Sequence, residues 1–435
     1  MASTKASAGY HIDNTHTTLH LLDSLTVDGD IKTSSGRTLR PYTPCNPIRK
    51  PITFDAYVVN NNYEGFRGAF TDGVWIYFVP NKLPSSSILS GTVLRIRIHE
   101  ATTENVIDGS TQNIESLNVA ALGNPNLRGF DGGFCDGEYA YLFPSYNVGE
   151  TAYGYLVRID ITDSWTPLTT VQWLNLEEYD VRLKGFHGGF YDGTYIYLVP
   201  SNTGSPPLSG TMARIDPAAA NWVIPSVAQT TPVTGVESMD MRTRDLDLSG
   251  FWGGFTDGTY GYCVPYFNDT YSGKIVRFPL SSYGNTSALE IWDMTQNHGN
   301  ARGFRGAVCD GRYAYLIPYY RDTDYHGTLV RLDLDRYGEQ RAITTIELSL
   351  GNSNWKGFEN AVLSESGRYL YLVSTLTTGS PSVVRIDLDR FVLQNVSSYD
   401  ATAIASGYSG GVAAGGFVFL SPITSGKILR FWNGL

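Results

Sequence analysis

The chain has 435 residues, of which 42% are hydrophobic and 17% charged, a balance that excludes a disordered chain. Its net charge of −10 excludes the basic footprint that nucleic-acid binding requires. No run of about 18 apolar residues occurs, so no membrane span is expected.

Residues 1–51 carry no repeat and read as an arm with linker character. The first residues lack the apolar core of a secretory signal, so cytoplasmic residence, a mature form or another exit route is expected. Short strands are expected around an Asp28-Gly29 turn. His11, His16 and His20 would share a metal only on a helix, and the Thr and Asn around them favour ordinary surface histidines.

Seven related units follow, beginning at Gly65, Gly129, Gly185, Gly250, Gly303, Gly357 and Gly407. Their spacing of 50 to 65 residues approaches the period of about 40–50 residues expected for a four-stranded propeller blade. The first strand of each unit is Gly-Phe-x-Gly-Gly-Phe or a variant of it. It ends in an Asp-Gly turn, as at Asp72-Gly73 and Asp192-Gly193, with positive φ expected at both positions. The second strand alternates tyrosines and ends in proline, which stops the pairing. The third carries an arginine in every unit: Arg95, Arg158, Arg214, Arg277, Arg331, Arg385 and Arg430. A residue present seven times is expected to be structural, pairing with an Asp such as Asp160 or stacking on Tyr. The fourth strand is looser, as in Val171–Asn175.

The seventh unit ends too early to hold a fourth strand. Ile52–Val59 precedes the first unit, where such a strand belongs. The expected fold is therefore all-β: a seven-bladed β-propeller of four-stranded antiparallel blades over residues 52–435. An N-terminal strand completes the last blade and closes the ring. The order of hairpin, Arg-bearing strand and Trp-bearing strand resembles kelch repeats, although the double glycine of that family is replaced here by Val-Pro. That resemblance implies architecture and not function.

One position varies inside this constant frame. The third residue of the first strand is Arg67, Asp131, His187, Trp252, Arg305, Glu359 or Ser409. These side chains are expected to ring the central channel. Loops on the same rim add Tyr146, Tyr266, Asn268, Tyr319, Tyr320 and Arg321. Aromatic faces interleaved with Asn and Arg suit carbohydrate, so the rim is expected to bind a glycan or a receptor.

Three functional readings share these residues. In the first, the propeller is a non-catalytic binding or assembly protein. The arm stretch Leu22–Thr33 is similar to segments that tether viral fibre and appendage proteins. That similarity implies a protein partner at the arm and a place on a virion or extracellular surface. In the second, the rim resembles seven-bladed polysaccharide lyases, which implies Arg305 neutralising a uronate while His187 or Tyr319 takes the proton. The third is a cytoplasmic scaffold for a protein partner. Asp131 and Glu359 would serve glycoside hydrolysis only at a suitable separation. No nucleophile elbow or phosphate-cradling loop occurs, no His-x-x-x-His pair lies within the seven units, and the four cysteines form no Cys-x-x-Cys pair. No cofactor or metal is therefore expected, and the cysteines read as buried free thiols.

Overall fold

The computed structural model describes residues 48, 50–98, 113–145, 152–162, 165, 170–201, 208–229, 232–375, 383–401, 403–404 and 407–432, together with the backbone of four short earlier strands. The chain divides into compact units of residues 1–46 and 47–435. In the first unit Tyr10–Asp13 pairs with Thr18–Leu21, and Ile31–Lys32 with Thr38–Leu39. Asp28-Gly29 and Leu22–Thr33 apart from Ile31–Lys32 lie outside the described residues. Among the described residues no helix is long and apolar enough to cross a membrane.

The second unit is a seven-bladed β-propeller of four-stranded antiparallel blades. Blades 1 to 6 begin with the strands at Phe66, Phe130, Phe186, Phe251, Phe304 and Phe358, and each takes its four strands in chain order. Blade 7 takes three from Tyr408–Ala414, Phe417–Pro422 and Lys427–Trp432, and its fourth from Ile52–Asp55. The closing register runs from Lys427 opposite Asp55 to Arg430 opposite Ile52. The closing strand is shorter than Ile52–Val59, because Ala56–Val59 forms one helical turn. Asp55 caps that turn by accepting from the Tyr57 amide. Asn118, Asn175, Asp240 and Asp293 cap short 3-10 turns after the fourth strand of their own blades in the same way. The feature thus belongs to the repeat.

The turn after the first strand differs from the expected one. In the Asp-Gly turns only the glycine has positive φ, for example Gly73 at 89° and Gly193 at 95°, whereas in blade 7 both Gly415 and Gly416 do. Asp192 works through its side chain. One carboxylate oxygen accepts from the amides of Thr194 and Tyr195, and the other from the Tyr197 hydroxyl. The ring of Tyr197 stacks on Phe190, with centroids 4.8 Å apart. Blades 1, 2 and 4 repeat this unit around Asp72, Asp136 and Asp257. The frequent Phe, Asp-Gly and Tyr of the sequence are therefore one interlocked corner.

Among the described residues the core is divided. Seven clusters of buried side chains each join two neighbouring blades, and the one between blades 7 and 1 includes Ala56, Phe66, Phe78, Phe419 and Ile428. The third-strand arginines bridge the same interfaces. Arg277 lies between the rings of Tyr260 in its own blade and Tyr337 in the next, at 4.2 and 4.1 Å. Its charge pairs with Glu290 on the fourth strand. Arg95 and Arg214 likewise pair with Glu115 and Glu237. In these three blades the partner is a fourth-strand glutamate, and in blade 2 Arg158 donates instead to Gln172 of the fourth strand, whereas the nearby aspartates pair elsewhere: Asp333 with Arg312 and Arg336, and Asp387 with Arg368. Arg277→Met is expected to lose both stacking contacts and to destabilise the fold by about 1–2 kcal/mol. Arg277→Lys should lose most of the same amount, since an ammonium cannot fill the planar slot. A urea midpoint unchanged in both variants would refute the clamp. Cys263 is fully buried, whereas Cys135 and Cys309 are only partly so.

Candidate functional site

Each first strand bulges at its variable residue. In blade 1, Phe66 faces Pro80 and the next pair is Ala69 with Phe78, so one residue is extra. A bulge re-aims a side chain and needs a backbone that tolerates it. Gly68, Gly132, Gly188, Gly253, Gly306 and Gly410 all adopt positive φ there. Several also approach their counterparts in the neighbouring blade: a Cβ on Gly188 would come within 3.4 Å of the Gly253 Cα. Blade 6 makes the bulge with Asn360 in place of glycine.

The bulges bring six variable side chains into one closed circuit. Arg67 donates from Nη1 to Asp131 Oδ2 at 3.1 Å. The same Asp131 oxygen meets His187 Nδ1 at 2.6 Å. The His187 ring stacks on Trp252, with centroids 3.7 Å apart and planes 12° from parallel. The Arg305 guanidinium lies 3.9 Å from the Trp252 ring centroid. Arg305 Nη1 then donates to Glu359 at 2.8 Å, and Glu359 reaches back to Arg67 at 3.6 Å. Ser409 stays outside the circuit and donates to the Phe66 carbonyl.

A second ring lies directly above, made by the residues that follow the second strands. Tyr266 accepts a hydrogen bond from Arg305, Tyr319 covers the guanidinium at 3.8 Å, and Thr375 donates to Glu359. Arg305 is thus held between two aromatic faces with both terminal nitrogens bonded. Asn81 donates to the Phe130 carbonyl and borders the hub opening with Ser201 and Ile423.

The electrostatics follow from burial and pairing. Burial alone would raise the Asp131 pKa, but Arg67 and the His187 hydrogen bond outweigh it and hold the group down to about 2. Glu359 is likewise lowered, with Arg305 and Arg67 overcoming burial. Burial lowers the His187 pKa despite Asp131, so its neutral form is favoured. Burial drives Tyr319 and Tyr266 up despite Arg305, which leaves both as phenols near neutrality.

Above the circuit opens a pocket of about 480 Å³, bordered by Arg67, Lys82, His187, Trp252, Tyr266 and Phe267 among others. That size falls within the range of small-ligand sites. The expected rim residues divide into groups. Arg67, His187, Trp252, Arg305 and Tyr266 border the pocket, while Asp131 and Glu359 do not and pair with its arginines, and Tyr319 covers Arg305. Asn268 sits in a two-residue hairpin and donates to the Asp247 carbonyl. Tyr320 and Arg321 belong to a similar hairpin in the next blade, where Arg321 bonds Asn300 and Thr328. Those three residues do not border the hub pocket. Tyr146 lies outside the described residues. Lys82, Phe267, Asn81 and Ser201 complete the site. Their common signal is the one or two residues after the second strand, which the Phe66–Pro80 type of pairing holds beside the hub.

No protein-family model matches the sequence, and no curated protein does. Similarity to solved structures establishes the fold. The chain is similar to a selenomethionine-substituted virginiamycin B lyase from Staphylococcus aureus, at 11% identity and a TM-score of 0.55, over 88% of this chain and 99% of that one. A catalytically inactive variant of that lyase, solved with quinupristin, is 14% identical with the same TM-score and coverage. The β-propeller domain of Myceliophteria thermophila Cps50 (Swd1) is 8% identical with a TM-score of 0.50, over 88% of this chain and 98% of that one.

Proposed function

We propose that this propeller is a non-catalytic binding protein whose hub pocket takes a glycan or a glycosylated receptor. The observation that carries this reading is the commitment of the hub's reactive groups to one another. Arg305 has both terminal nitrogens bonded and both faces covered. Both carboxylates are held ionised, so neither supplies the proton that glycoside hydrolysis needs. What remains accessible is a pocket of aromatic, amide, hydroxyl and cationic groups, which is sugar-binding chemistry. The N-terminal arm serves as attachment to a protein partner. Its likeness to tethering segments of viral fibre proteins supports a place on a virion or another external surface.

One observation favours a second reading. His187 is held by Asp131 through Nδ1, the geometry that prepares Nε2 to accept a proton, and it borders the pocket. A polysaccharide lyase would use that pair. The test is incubation with acidic polysaccharides while the ultraviolet absorbance of unsaturated uronate is followed. Binding without product is expected. A product rate that disappears in His187→Ala would sink the non-catalytic reading.

A further inference from the structure

We infer that the hub pocket is built for a sugar that carries a carboxylate, which docks on Lys82 and the outward nitrogens of Arg67. This inference rests on the glycan reading above and specifies the ligand class. It begins from the charge around the pocket. A protein of net charge −10 borders this pocket with three cations, Arg67, Lys82 and Arg305, and, among the described residues, with no carboxylate. Asp131 and Glu359 do not border it, and their ionised oxygens face Arg67 and Arg305.

The three cations are not equivalent. Arg305 has both terminal nitrogens engaged, and the aromatic rings above and below exclude a ligand from its faces. Arg67 uses only Nη1 toward Asp131 and Glu359 among the described residues. Its remaining donors belong to a side chain that is 22% exposed at the pocket. Lys82 follows the second strand of blade 1, and among the described residues no carboxylate lies within ion-pair distance of its ammonium. Two cations from blade 1 that border the same recess therefore have donors without a carboxylate partner among the described residues, and low-dielectric walls strengthen their attraction for an anion.

The walls argue for a sugar over a bare anion. Both faces of Trp252 are covered, by His187 and Arg305, so it presents an edge. Phe267, Leu83, Pro84 and Leu208 supply apolar surface, and Asn81, Ser87 and Ser201 supply hydrogen-bonding groups. A carboxylated pyranose matches that division, with its acid on Lys82 and Arg67 and its C–H face toward Phe267.

The test is an array of galacturonate, glucuronate and sialic-acid oligosaccharides beside their methyl esters, with solution titration of the best pair. The acid should bind at least about tenfold more tightly than its ester, with added salt weakening the acid alone. Lys82→Met should erase that preference without changing the thermal midpoint, and Lys82→Arg should restore most of it. Equal binding of acid and ester by the wild-type protein would overturn the carboxylate assignment and leave the glycan reading standing. Binding to neither would overturn both. An acid preference that survives in Lys82→Met would remove Lys82 from the site. Full displacement by inorganic phosphate or acetate at the sugar's own concentration would reduce the pocket to a bare anion site and overturn the sugar assignment.

Discussion

Removal of residues 1–59 should lower the propeller's melting midpoint, whereas removal of residues 1–46 should leave that midpoint in place. The contrast lies in what each cut takes from the ring. Ile52–Asp55 is the fourth strand of blade 7, and it alone pairs the outer side of Lys427–Trp432. Directly after it, the Ala56 amide donates to the Gly426 carbonyl, and Ala56 is wholly buried between blades 7 and 1. The chains approach so closely here that a Cβ on Gly426 would lie 2.4 Å from the Tyr57 nitrogen. The longer cut removes these contacts together and leaves a four-strand interface with one partner missing. The loss should exceed that of a single large-to-small core substitution, about 3 kcal/mol, and lower the midpoint by about 4 °C or more. The bared strand should also promote aggregation. Ile48 packs between blades 6 and 7 and survives the shorter cut. Differential scanning calorimetry of both truncations is the check. A longer truncation that melts within about 2 °C of the full chain would mean that the ring does not depend on its N-terminal strand. Loss of folding in the shorter one would place the arm inside the propeller's stability and end the tether reading.

The sequence announced the ring because each blade's hairpin is local: Phe190, Asp192 and Tyr197 lie within eight residues and make one corner. Closure was legible as a deficit, a seventh unit without a fourth strand. The helical turn at Ala56–Val59 was not, because Ala-Tyr-Val-Val has strand propensity and the Asp55 cap overrides it. The hub was legible as a position and not as a circuit. Arg67 and Asp131 are 64 residues apart, and Arg305 and Glu359 are 54. No local pattern reveals that side chains so distant in sequence complement one another in charge. The rim was overextended for a different reason. Asn268, Tyr320 and Arg321 stand only two or three residues past the second strands, but small hairpins turn them away from the hub.

The circuit makes Glu359→Ala the most damaging point substitution at the hub. Glu359 is 5% exposed and faces two guanidinium groups, those of Arg305 at 2.8 Å and Arg67 at 3.6 Å. Removing it leaves Arg305 buried between Trp252 and Tyr319 without its counter-charge. Breaking a buried pair from one side costs about 3–5 kcal/mol, and solvent screening is too weak here to soften that. Arg305→Met combined with Glu359→Leu removes both charges and should be less damaging than Glu359→Ala alone. Urea denaturation of the three proteins decides the matter, and a single variant within about 1 kcal/mol of wild type would show that the circuit is not a support. Acid should dismantle the same circuit. Asp131 titrates in the folded state at about 2, below its ordinary value near 4. The unfolded chain therefore takes up the proton first as pH falls, and folding loses the Asp131 contribution between about 4 and about 2. His187, lowered by burial, acts in the same direction, beginning below its ordinary value of about 6.5. The stability difference between wild type and Asp131→Asn should be full at neutral pH and shrink through that acid window. A difference that stays constant from neutrality down to pH about 3 would contradict the ionised Asp131 at the centre of the circuit.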